Sequence, residues 1–199
     1  SIGNIPYDYL VIATGTKTNY FGNNAIQSNS MPMKTVPQAL NLRSLILQNF
    51  ENAAIADSTE EREAYLNFVI VGAGPTGVEL AGAIAELKNN ILPRDYRDLN
   101  AKDMHIHLLE GDNRVLPTMS EHASKKSEQF LKELGVNVHC NTFVKDYNGL
   151  TVTTTSDLVM QSETLIWAAG VTGDPIQGLK AEALMENTNR YNVNDYNQI

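Results

Sequence analysis

The feature that most constrains this chain is a glycine corner set between two different hydrophobic rhythms. Phe68-Val69-Ile70-Val71 is an unbroken apolar run, the pattern of a strand covered on both faces in a parallel sheet. Gly72-Ala73-Gly74-Pro75-Thr76-Gly77 follows and matches G-x-G-x-x-G. Val78, Ala81, Ile84, Ala85 and Leu87 then recur at helical spacing. A strand before the glycines and a helix after them is the context that gives this motif meaning. Gly72 permits the tight turn, Gly74 lets a diphosphate approach bare backbone, and Gly77 lets helix and strand pack closely. The free N–H groups and positive dipole end at the helix start hold the phosphates.

His105-Ile106-His107-Leu108-Leu109 is the next strand and ends on Glu110-Gly111. An acid at that strand end accepts hydrogen bonds from both ribose hydroxyls of a dinucleotide and repels a 2′-phosphate, which favours NADH over NADPH. Glu110 lies 38 residues past Gly72, against the usual ~20. A segment from Asn89 to Asp103, broken by Pro93, accounts for the excess. Arg114 is near enough in sequence to leave NADPH open. Glu79 lies in the first turn of the phosphate-binding helix, where the dipole favours any acid; alternatively it points across the turn at the nicotinamide.

The flanking elements place this unit in an α/β chain. Tyr7 to Gly15 reads as a strand entering a glycine turn, and Asn19 to Pro32 as a loop. A helix starts near Thr35-Val36-Pro37, with Pro suited to the first turn. The acidic stretch from Asp57 to Glu63 reads as a solvated face. Thr118-Met119-Ser120-Glu121 offers a capping box for a helix that closes at Gly135. Val136 to Cys140 is a strand, Asn148-Gly149 marks a hairpin, and Thr164 to Gly170 is a strand entering a second glycine turn. The expected fold is a Rossmann-like NAD-binding domain with a parallel sheet and a small antiparallel β meander.

The composition removes other classes. The net charge is −8, the wrong sign for a nucleic-acid binder. No apolar run is long enough to cross a bilayer. Ser1 to Pro6 lack the basic and greasy regions of a signal peptide. The single cysteine, Cys140, excludes a Cys-x-x-Cys pair and reads as a small buried hydrophobe. His105 and His107 share a strand face, but no further ligand recurs at a spacing that builds a metal site. Trp167 and the tyrosines read as core or rim. The chain begins almost within a strand and stops without a closing helix, the pattern of an excised piece of a longer protein.

Ala13-Thr14-Gly15, the full glycine motif with Glu79, the insert Leu92-Pro93-Arg94-Asp95-Tyr96, and Ile166 to Val171 together resemble the two-dinucleotide flavoproteins. The similarity is closest to type II NADH dehydrogenase, the single-subunit NADH:quinone oxidoreductase. That resemblance implies that Gly72 to Gly77 bind the NADH diphosphate and that Glu110 and Gly111 hold the ribose. Glu79, Ala169, Gly170 and Val171 would lie near the nicotinamide, and Thr14 and Gly15 close to FAD. It implies residues 1–34 as a crossover strand and linker from the FAD domain, 35–175 as the NADH-binding domain, and 176–199 as a return linker. Hydride would pass from NADH to FAD and electrons to a quinone, with no general base or nucleophile among these residues. The fragment alone is expected to bind NADH, hold FAD poorly and not turn over. FAD and quinone would engage through parts outside the chain. Such a protein would sit peripherally on the cytoplasmic face of a membrane, reached only through its C-terminal region, with a homodimer left open. Another flavoprotein NAD(P)H reductase of the same fold, or a non-catalytic NADH-sensing module, are the alternatives.

Overall fold

The computed structural model describes residues 3–179, 181–186 and 188–199. Ser1 and Ile2, part of the leader reading, and Lys180 and Asn187, part of the return segment, lie outside the described residues. The chain divides into two compact units. One runs from Tyr20 to Gly170, and the other joins Ser1–Asn19 to Val171–Ile199. The resemblance implies an NADH-binding domain over 35–175; the compact unit runs from Tyr20 to Gly170.

In the larger unit, five strands form a wholly parallel sheet. The strands are β2 (Met31–Pro32), β3 (Asn67–Val71), β4 (His105–Leu109), β5 (Val136–His139) and β9 (Thr164–Trp167), in the spatial order β2-β9-β3-β4-β5. Three further strands, β6 (Val144–Tyr147), β7 (Thr151–Thr154) and β8 (Val159–Gln161), make the antiparallel meander. The unalternating run of β3 is explained by two covers. Phe68 and Ile70 join a core with Leu42, Phe50, Ile84 and Leu131 from the helices. Val69 and Val71 join a second core with Tyr147, Val152 and Met160 from the meander. Tyr147 anchors the meander by donating its hydroxyl to the carbonyls of Gly149 and Ser162 at 3.0 and 3.1 Å. Burial, with Glu163 nearby, pushes that hydroxyl up to about 12.

The helices are α1 (Asn24–Asn29), α2 (Val36–Ile55), α3 (Thr59–Leu66), α4 (Pro75–Glu86), α5 (Leu92–Asp95) and α6 (Glu121–Glu133). Thr35 and Gln38 close a reciprocal cap at the start of α2. The expected loop from Asn19 to Pro32 instead holds α1 and the short edge strand β2, because Asn23 caps α1 through the Ile26 N–H. Pro93 does not break a segment; it sits in the first turn of α5, after a π-helical stretch over Leu87–Ile91. The cap of α6 is Ser120, which accepts from the Ala123 N–H, rather than Thr118.

In the smaller unit, β1 (Thr16–Thr18) pairs antiparallel with β10 (Val171–Gly173). The strand expected over Tyr7 to Gly15 is not formed: these residues join no strand pair, and Tyr7, Tyr9, Leu10 and Val11 are exposed. Sequence propensity supplies an apolar strand former, but a strand needs a neighbour for its hydrogen bonds. No helix among the described residues is long and apolar enough to cross a membrane.

One titrating pair sits on the β4–β5 side of the sheet. His107 Nδ1 lies 3.1 Å from His139 Nε2, and burial, then His139 and His105, holds His107 down from the ordinary 6.5 to about 4. The unfolded chain therefore takes up its proton first as pH falls. Stability present above pH 6.5 is lost as pH drops toward 4, by on the order of 3 kcal/mol. Denaturant titrations across that window should show the loss, and His107→Gln should flatten it; an equal slope in both proteins would refute the assignment.

Candidate functional site

The glycine corner is built by close approach. Gly72 has φ +99°, and a β-carbon there would lie 2.8 Å from Ala169 Cα. A β-carbon on Gly77 would land on the Gly72 carbonyl oxygen. These two positions exclude any side chain, which brings the start of α4 against the ends of β3 and β9. Gly74 differs. It is the N-cap residue of α4, and the space beside its Cα is open. The first N–H groups of a helix have no partner inside it, so this opening faces unsatisfied donors at the positive end of the α4 dipole.

Glu110 reaches into the same corner. Its Oε2 accepts from the Ala73 N–H at 2.6 Å and its Oε1 from the Asp112 N–H at 3.0 Å. Its backbone is held as well: Glu110 N–H donates to His139 O at 2.9 Å, and Thr142 N–H donates to Glu110 O at 2.8 Å. A carboxylate has two oxygens and about four acceptor positions. Both oxygens are thus fixed by backbone donors while acceptor capacity remains for ligand hydroxyls.

A cavity of about 560 Å³ opens over the C-terminal ends of β9, β3 and β4. In an open parallel sheet this crevice, where the strand order reverses, is where ligands bind. Of the residues singled out in the sequence, Gly72, Gly74, Glu110, Gly111, Ala169 and Gly170 line it. Ala73, Pro75, Thr76 and Gly77 build the corner behind it. Glu79 is exposed on α4 and does not line the cavity. Thr14 and Gly15 line a separate cavity of about 160 Å³ in the smaller unit, where Val171 opens β10.

The structure adds residues that the sequence reading assigns no part in the site. Trp167 is 5% exposed and lines the cavity, so its place in the core is also a place in the site. Tyr20, Phe21 and Phe143 line it too. Phe143 packs its ring on Gly111, where a β-carbon would collide with it. These residues come from distant loops, so their only sequence signal is an aromatic residue in an otherwise polar stretch. Arg114, the residue that left a 2′-phosphate open, donates to the carbonyls of Pro117 and Met119 at 2.7 and 3.1 Å and is absent from the cavity wall. Cys140 is half-buried, and its thiol is pushed up by burial and then by Glu128 and Glu110, the opposite of an activated thiolate. Among the described residues, no group of three or more His, Cys, Asp or Glu is arranged to hold a metal ion.

Residues 2–199 match the family model described as pyridine nucleotide-disulphide oxidoreductase. The chain is 38% identical over 181 residues to type II NADH:quinone oxidoreductase NdhA of Mycobacterium tuberculosis, covering 89% of this chain and 38% of that protein. It is 33% identical over 178 residues to type II NADH:quinone oxidoreductase of Haemophilus influenzae, covering 84% and 40%. NDH2 from Plasmodium falciparum, solved in complex with NADH, superposes with a TM-score of 0.80 at 29% identity, covering 85% of this chain and 36% of that one. The resemblance read from the motifs therefore stands, and the chain spans well under half the length of these relatives.

The glycines separate by role in a stability measurement. Gly77→Ala should cost about 3 kcal/mol through overpacking against backbone. Gly74→Ala, with open space beside it, should stay within about 0.5 kcal/mol of the parent. Equal losses in urea titrations would mean the opening at Gly74 is not as described.

Proposed function

Because this chain belongs to the pyridine nucleotide-disulphide oxidoreductase family, we propose that it is the NADH-binding part of a FAD-dependent NADH:quinone oxidoreductase. The observation that carries the reading is the Glu110 carboxylate fixed on backbone donors beside the open Gly74 corner. The diphosphate lies against the amides at the start of α4, where no cation is needed and the acidic net charge of −8 is no obstacle. The adenosine ribose lies over β4 with its hydroxyls on Glu110. The nicotinamide half then extends over β9, along Ala168 to Gly170. The likeness to a structure holding NADH supports the same ligand.

The compact unit from Tyr20 to Gly170 carries the proposed site. The segments before and after it are proposed as passages to and from a flavin-binding portion, with Thr14, Gly15 and Val171 on the flavin side. The 160 Å³ cavity at Thr14 and Gly15 is below the range of cofactor pockets, so these residues do not enclose FAD by themselves. FAD would supply the acceptor for the hydride, and the protein's part is to bind and orient NADH against it. Transfer of electrons to quinone, peripheral attachment to the cytoplasmic face of a membrane and homodimerisation belong to the same proposal. Glu79, exposed on α4, is placed near the nicotinamide only by resemblance.

Calorimetric titration of the 199-residue chain with NADH and with NADPH tests this. NADH should bind at least about tenfold tighter, a difference of about 1.4 kcal/mol. Glu110→Gln, which keeps the shape and removes the charge, should narrow that gap. Gly74→Val should weaken NADH at least about tenfold with little change in melting temperature. Immeasurably weak binding of both nucleotides would defeat the proposal, and a preference for NADPH would defeat the role of Glu110.

A further inference from the structure

Tyr20 to Asn23 form a tight turn closed by the Asn23 N–H donating to the Tyr20 carbonyl at 3.0 Å. Its two central residues both have positive φ, 52° at Phe21 and 80° at Gly22. Consecutive left-handed residues define a type I′ turn, whose first central position prefers Asn, Asp or Gly. A bulky aromatic residue there is a backbone outlier, and such strain gathers at ligand clamps. Nothing in the turn itself calls for a phenyl ring.

The ring's position supplies the reason. Phe21 is 69% exposed and lines the cavity. It stands edge-on to Trp167 with centroids 6.4 Å apart, while Tyr20 lies 5.8 Å from the same indole. Trp167 ends β9, and Ala168 to Gly170 continue the cavity wall. The strained residue therefore presents an aromatic surface at the β9 end, across β3 from Glu110, which directly follows β4.

We infer that Phe21 is a specificity-determining wall for the nicotinamide half of the dinucleotide, placed there by the left-handed turn at the end of the cavity opposite Glu110. This rests on the reading of the cavity as an NADH site. A flat heteroaromatic ring packs against aromatic side chains in offset or edge-on fashion, and the Tyr20–Phe21–Trp167 group offers that surface. On that reading the adenosine and diphosphate engage the Glu110 and Gly74 end, while Phe21 stands beside Trp167 at the end of β9, with β3 between β9 and β4. Phe21 touches no bond that changes; it positions the ring that reacts.

Phe21→Asn tests the inference, because asparagine suits the turn but lacks the ring. Its melting temperature should hold or rise by about 2–4 °C. NADH should bind about tenfold more weakly, while ADP, which has no nicotinamide, should change by less than about twofold. Phe21→Tyr should restore NADH binding. Calorimetry gives the constants, and the emission of the single tryptophan, Trp167, quenched by the dihydronicotinamide, gives a second readout. Unchanged NADH affinity overturns the inference. So does a variant that melts lower or loses ADP and NADH alike, since either assigns Phe21 a structural role. If the parent chain binds neither ADP nor NADH, the dinucleotide reading itself has failed and the inference falls with it.

Discussion

Two missing β-carbons govern this molecule. Where Gly77 has no side chain, the Gly72 carbonyl occupies the space, and where Gly72 has none, the backbone of Ala169 does. The end of β3, the end of β9 and the first turn of α4 can then meet at backbone distance. Every feature of the site follows from that meeting. The helix dipole is aimed at the crevice, the Ala73 N–H is placed for Glu110, and the cavity is continuous from β4 to β9. A methyl group at either position would force the helix away from the sheet and open the corner.

The electrostatics are built from backbone rather than from side chains. A chain of net charge −8 offers an anion a place by aligning peptide groups, which carry partial charge without counting in the net charge. Glu110 adds a negative charge to the same corner, yet it is held by two N–H donors and directs its remaining acceptor capacity toward hydroxyls. Arg114 could have altered that balance, but it is turned toward the 117–119 carbonyls. Arg114 is thus absent from the cavity wall that Glu110 lines.

The legible part of the fold was the part written in local pattern. The apolar run of β3, the glycines, the helical spacing of α4 and the Asn148-Gly149 hairpin each carry their own signal over a few residues. Local pattern and structure part where an element forms only against a partner. Tyr7 to Gly15 has strand composition and no strand, since pairing needs a neighbour. Met31–Pro32 has loop composition and pairs with β9, since two residues suffice once an edge is present. Ser120 displaced Thr118 as the α6 cap by a shift of two residues, which composition does not resolve. His139 joins His107 across strands, a pairing that requires knowing which strands are neighbours.

The glycine corner, the acid at the next strand end and the α/β class are legible along the chain, because they rest on spacing and on which residues lack a side chain. Which aromatic rings close the cavity, which way Arg114 turns and what Trp167 touches are set by three-dimensional packing. The Tyr20–Phe21 turn, Phe143 and Trp167 are far apart in the chain, and they share one cavity only because packing brings them together over the β9-β3-β4 part of the sheet. Spacing along a chain is set by covalent bonds; proximity across a cavity is set by packing, which no single stretch of sequence contains.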